Sequence, residues 1–254
     1  MYILISPAKT LDFNPIETLL PSSKPVFNSE ADKIASILKK KKPNDLSEMM
    51  KISDDLARLN YERYQQWSNL TDNQLKEAAF AFKGDVYQGL EIEKLSKDEL
   101  KYAQNHLRIL SGLYGLLQPL DKIAPHRLEM GTDLSVGKAA NLYDYWKSKI
   151  TRQISEEMKS LDTKLLVNLA SNEYFKSVDT KNIEADIISP VFKDYKNGEY
   201  KIISFFAKKA RGLMTRYLIK ENTTDKSVIP GFQEDGYQYN ERLSTSNKPV
   251  FTRG

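Results

Sequence analysis

The sequence predicts a mixed α+β fold, a single domain over residues 1–254 with a mixed sheet surrounded by helices. Three observations carry the prediction. Short apolar runs of strand type, at 2–5, 107–110 and 164–169, alternate with amphipathic helical stretches. These elements are scattered from end to end, with no repeat, low-complexity block or linker to divide the chain. At 254 residues and 40% hydrophobic content, the chain has enough apolar side chains for one sizeable core.

The elements follow in order. Tyr2–Ile5 is a core strand stopped by Pro7, and Pro15, Pro21 and Pro25 make 12–27 a long loop. Helical periodicity over 29–40 ends in the run Lys39 to Lys42, a solvated helix end where cations suit the dipole. Asn44 or Asp45 caps a helix near 45–51, Ser53 or Asp54 one through about Trp67, and Thr71 one through about Ala79. Phe80 to Tyr87 reads as a strand entering a glycine turn, 96–105 as a helix and 107–110 as a strand. Residues 111–131 read as a structured loop, 139–161 as a long amphipathic helix and 164–169 as a core strand. Lys196-Asn197-Gly198, between apolar runs at 185–192 and 200–206, is a hairpin signal because Asn-Gly tolerates positive φ. A helix follows at 207–221, and the tail over 230–254, rich in Gly, Asn and Ser, ends in strands.

Composition narrows the function. There is no cysteine, which excludes disulfides, thiolate metal sites and a thiol redox switch. Two histidines, His106 and His126, argue against a multi-histidine metal centre, and no cofactor is expected. No apolar run approaches the roughly 18 residues that span a bilayer. The N-terminus lacks the charged start and cleavage site of a signal peptide, so the expected address is the cytoplasm, with no membrane partner.

Charge is concentrated. The chain carries a net +4, yet residues 193–220 alone carry +6, leaving −2 for the rest. Lys208, Lys209, Arg211 and Arg216 fall within nine residues of one helix. A local basic surface is the footprint of a polyanion such as DNA, and an ordinary solvated helix face is the alternative reading.

Further constellations sit at strand ends and loops. Residues 105–117, Asn-His-Leu-Arg-Ile-Leu-Ser-Gly-Leu-Tyr-Gly-Leu-Leu, run from a strand into a glycine loop, where backbone amides approach anions. Leu113 to Leu117 also resembles the hairpin of helix-hairpin-helix DNA binders, or marks close packing. Arg127 and Glu129, after His126, offer a phosphate clamp and a base, or simply an ion pair. Asn168, Ser171 and Glu173 follow a core strand, a frequent ligand position in α/β sheets, though Ser171 equally suits a helix cap. Lys9 follows the first strand in the same way. No serine elbow, zinc-protease helix motif or calcium loop is present.

Several of these segments occur in blocks that resemble the YaaA peroxide-stress family. The blocks are residues 1–12 (MYILISPAKTLD), 81–87 (AFKGDVY), 110–115 (LSGLYG), 127–131 (RLEMG), 168–175 (NLASNEYF) and 205–212 (FFAKKARG), in the family's order and across nearly the whole chain. The resemblance implies a cytoplasmic protein of the peroxide response that limits DNA damage and reactive iron. It implies binding of double-stranded or branched DNA in a basic cleft with a helix-hairpin-helix-like element, on a mixed α/β fold of unusual topology. It brings no settled reaction. The expected phosphate contacts are Lys208, Lys209, Arg211 and Arg216, then Lys9, Lys83, Arg108, Arg127 and Lys176. The alternative is an enzyme on a small anionic or nucleotide substrate, with Lys9, Arg108, Arg127, Glu129, Asn168, Ser171 and Glu173 in one pocket. An iron site built on Glu129 and Glu173 is a third reading without visible ligand spacing.

Overall fold

Strand β1 (Tyr2–Ile5), fully buried, is the centre of the molecule in the computed structural model, which describes residues 1–254. The first half of the chain continues with β2 (Thr10–Leu11), α1 (Asn28–Leu38), α2 (Pro43–Met50), α3 (Asp54–Gln66), β3 (Lys76–Glu77), α4 (Ala78–Ala81), β4 (Phe82–Lys83), α5 (Asp85–Leu90) and α6 (Lys97–His106). The hairpin β5 (Leu107–Ser111) and β6 (Gly115–Leu117) is followed by β7 (Lys122–Ile123), α7 (Leu142–Ser160), β8 (Leu165–Asn168), α8 (Asn172–Phe175) and β9 (Asp186–Ile188). The last stretch holds β10 (Val191–Lys196), β11 (Glu199–Lys201), α9 (Ser204–Glu221), β12 (Gln238–Tyr239) and β13 (Val250–Arg253).

The main sheet has the order β6-β5-β1-β8-β9. β5, β1, β8 and β9 are parallel, and β6 turns back antiparallel at the edge. Parallel strands buried on both faces read as continuous apolar runs, which is why β1, β5 and β8 were visible in the sequence. The chain passes from β1 to β5 on one side, then crosses to β8 on the other. The carboxyl ends of β1 and β8 therefore flank a topological switch point, the crevice where open α/β sheets bind ligands.

A second sheet, β11-β10-β13-β12, is built late in the chain. Its β10–β11 hairpin turns at Asn197-Gly198, with φ of 55° and 85°, as the sequence predicts. The hairpin strands are β10 and β11 alone: β9 belongs to the main sheet, and Phe205 and Phe206 open α9. One core of 64 buried residues joins both sheets and the helices.

Other differences have physical causes. The helix expected after Thr71 reduces to a single tight turn, because Lys76 and Glu77 pair with Ile123 and Lys122. Of the strand expected at 80–87, only Phe82–Lys83 forms, against Leu11 and Thr10, and Asp85 then starts α5. Pro43 at the first helical position moves the start of α2 ahead of Asn44, and Asp45 reaches back to the Lys42 amide at 2.8 Å. Leu113 to Leu117 forms a β-turn and strand rather than a hairpin between helices. Gly115, at φ +69°, lies beneath the Trp146 ring, whose Nε1 donates to the Gly112 carbonyl at 2.9 Å. Every residue from Leu107 to Leu117 is buried, so this segment meets no nucleic acid.

Candidate functional site

The loops after β1 and β8 are tied together at the switch point. Ser171, the N-cap of α8, donates its amide to Ser6 Oγ at 2.8 Å, and Ser6 Oγ lies 3.3 Å from Ser171 Oγ. Ser6 also fixes α5, because Tyr87 Oη donates to its carbonyl at 3.1 Å. Asn168 turns inward: its Oδ1 accepts from the Ala170 amide at 3.0 Å and its Nδ2 donates to Ser189 Oγ at 3.3 Å. It shapes the loop through one donated and one accepted hydrogen bond.

Lys9, Arg127 and Glu129 come together. Glu129 Oε2 is 2.9 Å from Lys9 Nζ, and its Oε1 accepts from Arg127 Nη2 at 2.7 Å. The Arg127 loop is held by Tyr64, which donates to its carbonyl at 2.8 Å, and Glu173 accepts from the Gly131 amide at 3.1 Å. Arg127 Nε is buried without a partner. His126 lies beside it with Nδ1 against the Ala124 carbonyl at 2.8 Å, so Nδ1 carries the proton. Burial lowers the pKa of His126 to about 4, which keeps it neutral. The cavity among Lys9, Ser111, His126, Arg127, Glu129 and Tyr174 measures about 20 Å³, room for a single water. A closed substrate pocket is therefore not formed here.

Arg108 does not join this group. It lies level with Leu4 of β1, but its side chain, 5% exposed, runs to Glu157 of α7 and over the ring of Tyr2 at the start of β1. Its Nε donates to Glu157 at 2.6 Å and its Nη1 to the Gln104 and Leu107 carbonyls. A guanidinium so placed cannot reach a DNA backbone, nor share a pocket with Lys9.

The basic helix α9 is docked on α5 through backbone contact. A Cβ on Gly212 would stand 1.8 Å from the Val86 carbonyl oxygen, and one on Gly89 would stand 2.2 Å from that of Lys209. Since Tyr87 and Gly84 of the α5 region rest on Ser6 and Ala8, α9 is coupled to the switch-point loops.

Its four cations divide in two. Arg216 is locked between Glu91 and Glu234, the latter at 2.8 Å, and Lys209 faces Asp235 at 3.4 Å. Arg216 is thus an internal brace rather than a free phosphate contact. Lys208 is exposed, and neither it nor Arg211 has a carboxylate within 4 Å. Arg211 makes no side-chain hydrogen bond, and burial lowers its guanidinium pKa. Three residues apart, the two share a helix face. Lys176 is exposed, and Lys83 lies 3.3 Å from Asp12. Composition gave the signal for α9; the partners of Arg216 and Arg108 are distant in sequence and gave none.

A family model described as "Peroxide stress protein YaaA" matches residues 1–243. The chain belongs to the YaaA peroxide-stress protein family. It is 50% identical to a UPF0246 protein of Aliivibrio fischeri over all of this chain and 98% of that one. A UPF0246 protein of Teredinibacter turnerae is also 50% identical, over all of this chain and 99% of its own length. One of Shewanella denitrificans is 47% identical, over all of this chain and 98% of its own. The resemblance carried by residues 1–12, 81–87, 110–115, 127–131, 168–175 and 205–212 thus identified the family. No helix is long and apolar enough to cross a membrane. No group of three or more His, Cys, Asp or Glu side chains is placed to hold a metal ion, Glu129 and Glu173 included.

Proposed function

We propose that this YaaA-family protein acts in the peroxide response by binding DNA through its phosphate backbone, with Lys208 and Arg211 of α9 as the primary contacts. One observation carries the reading: Arg211 is a half-buried guanidinium for which the fold supplies no counter-charge. A cation withdrawn from water without a partner costs stability, and that cost is recovered when an external anion arrives. Lys208 on the same face supplies a second charge for a polyanion.

Lys9, Lys83 and Lys176 extend the contact, while Arg127, 16% exposed, stays paired with Glu129. Lys9 and Lys83 are each 65% exposed, so their pairings with Glu129 and Asp12 are solvated and exchange readily for phosphate. Arg216 sets the shape of α9 instead, while Lys209, 43% exposed beside Asp235, exchanges its partner as Lys9 does. With contacts confined to phosphates, binding is indifferent to sequence. The part in limiting reactive iron is indirect, by occupying DNA where iron-driven damage falls. The small-substrate alternative finds no support at the switch point, where the cavity has room for only one water.

Fluorescence anisotropy with labelled duplex and branched DNA tests the proposal. Wild type is expected to bind at low salt and to lose affinity steeply as salt rises. The variant Lys208→Glu/Lys209→Glu/Arg211→Glu, if folded, is expected to lose binding. A wild type that fails to bind at low salt, or binds with no salt dependence, refutes the proposal.

A further inference from the structure

Between α7 and the segment that leaves β6, the Arg108 side chain borders a cavity of about 250 Å³, more than ten times the space beside Arg127. Lys24, Val26, Gln118 and Gln153 line it with Arg108, as do the carboxylates of Asp121 and Glu157. The guanidinium is 5% exposed and held on two of its three nitrogens. Nε meets Glu157, and Nη1 meets two backbone carbonyls at 3.0 and 2.7 Å. Nη2 has no partner in the protein and is not sealed from solvent. Its two N–H donors are therefore fixed in direction and unspent.

The rest of the wall is equally set. Glu157 accepts from Tyr2 Oη at 2.8 Å and from Gln153 Nε2 at 2.8 Å, as well as from Arg108. Asp121, 1% exposed, accepts from Ser23 Oγ at 2.7 Å and from the Gln118 amide at 2.8 Å. Both carboxylates are thus engaged inside the wall, and burial raises the pKa of Asp121. Lys24 stands at the cavity without a carboxylate partner, and Val26, 52% exposed, lines it beside Lys24. With Nε and Nη1 engaged, Nη2 alone is open, a fixed cationic donor that gives charge-assisted hydrogen bonds to an oxyanion.

We infer that this cavity is a binding site for a small oxyanion, the phosphoryl or carboxylate group of a metabolite-sized ligand, held by Arg108 Nη2 and Lys24. The site is separate from α9 and from the Lys9 loop. Its size admits a ligand of a few heavy atoms beyond the anionic group and excludes a duplex.

NMR titration of the Arg108 Nε–H and Gln153 side-chain signals tests the inference. Sodium phosphate and sodium acetate are the probes, each against sodium chloride at matched ionic strength. A saturable shift beyond the chloride control is expected, from phosphate if the natural group is phosphoryl and from acetate if it is carboxylate. Val26→Trp, at an exposed position of the lining, is expected to abolish the shift. Arg108→Lys, which removes the open nitrogen, weakens affinity about tenfold or more. Lys24→Gln weakens it less. Lys208→Glu/Arg211→Glu leaves it unchanged, which separates this site from DNA binding. Should Arg108→Lys fail to fold, Val26→Trp and Lys24→Gln decide alone. Shifts no larger than those with chloride overturn the inference, as does saturable binding that survives Val26→Trp.

Discussion

Gly212→Ala tests the coupling of α9 to the rest of the molecule. The added Cβ would stand 1.8 Å from the Val86 carbonyl oxygen and 2.8 Å from the Leu90 amide nitrogen, whereas ordinary contact begins at 3.4 Å. Both obstacles are backbone, so no rotamer change relieves them. The helices must separate by about 1.6 Å, the difference between 3.4 and 1.8 Å. That shift also strains the Tyr87–Ser6 hydrogen bond that anchors α5 to the switch point. Overpacking costs typically 1–3 kcal/mol, and here, with two rigid partners, about 3 kcal/mol or more is expected. For a chain of this size that is a fall in Tm of roughly 6–12 °C. Thermal unfolding followed by circular dichroism gives the readout. A Tm within about 2 °C of wild type would show that the backbones of α5 and α9 are not in contact, and would undo the placement of the basic helix.

Three further outcomes are expected. Arg216→Met leaves Glu91 and Glu234 facing one another without their cation and lowers stability by about 1–3 kcal/mol in urea unfolding, while the folded variant keeps most of its DNA affinity. An affinity loss as large as that of Arg211→Met would return Arg216 to the phosphate contacts. His126, held near a pKa of about 4 against 6.5 when unfolded, takes its proton more readily in the unfolded chain. Its contribution is complete above pH 6.5 and lost as pH falls toward 4, up to about 3 kcal/mol. His126→Gln is expected to flatten that part of the stability profile, and an unchanged slope would refute the assignment. Tyr2→Phe removes one hydrogen bond to Glu157 and should cost about 1–2 kcal/mol, measured by denaturant midpoint at constant m.

The main sheet was legible because β1, β5 and β8 are buried on both faces and announce themselves as apolar runs. The hairpin at Asn197-Gly198 was legible from local turn chemistry, and Ser53 from its capping role, with its Oγ accepting from Leu56. What failed was decided at a distance. The pairing of Lys76 with Ile123 overrode the helical pattern after Thr71. For Gly112 and Gly115 the sequence left ligand binding and close packing both open, and the contacts that decide for packing come from the distant Leu128, Glu129 and Trp146. At the candidate site, Lys9, Arg127 and Glu129 converge, which the sequence could not show for segments so far apart along the chain. Arg108 does not join them; a strand's residue types do not say which helix its side chain will meet, here α7 through Glu157. The division of α9 into free and neutralised cations depends on Glu91, Glu234 and Asp235, and no local pattern links these to Lys209 or Arg216.

The most direct test of DNA binding through α9 is the salt dependence of duplex affinity in wild type and in Lys208→Ala/Arg211→Ala. Each phosphate contact contributes about 0.9 to the slope of log affinity against log salt concentration. The account predicts a slope shallower by about 1.8 in the double variant, with the fold intact. An identical slope in both proteins would mean that DNA does not touch Lys208 and Arg211, and would contradict the account.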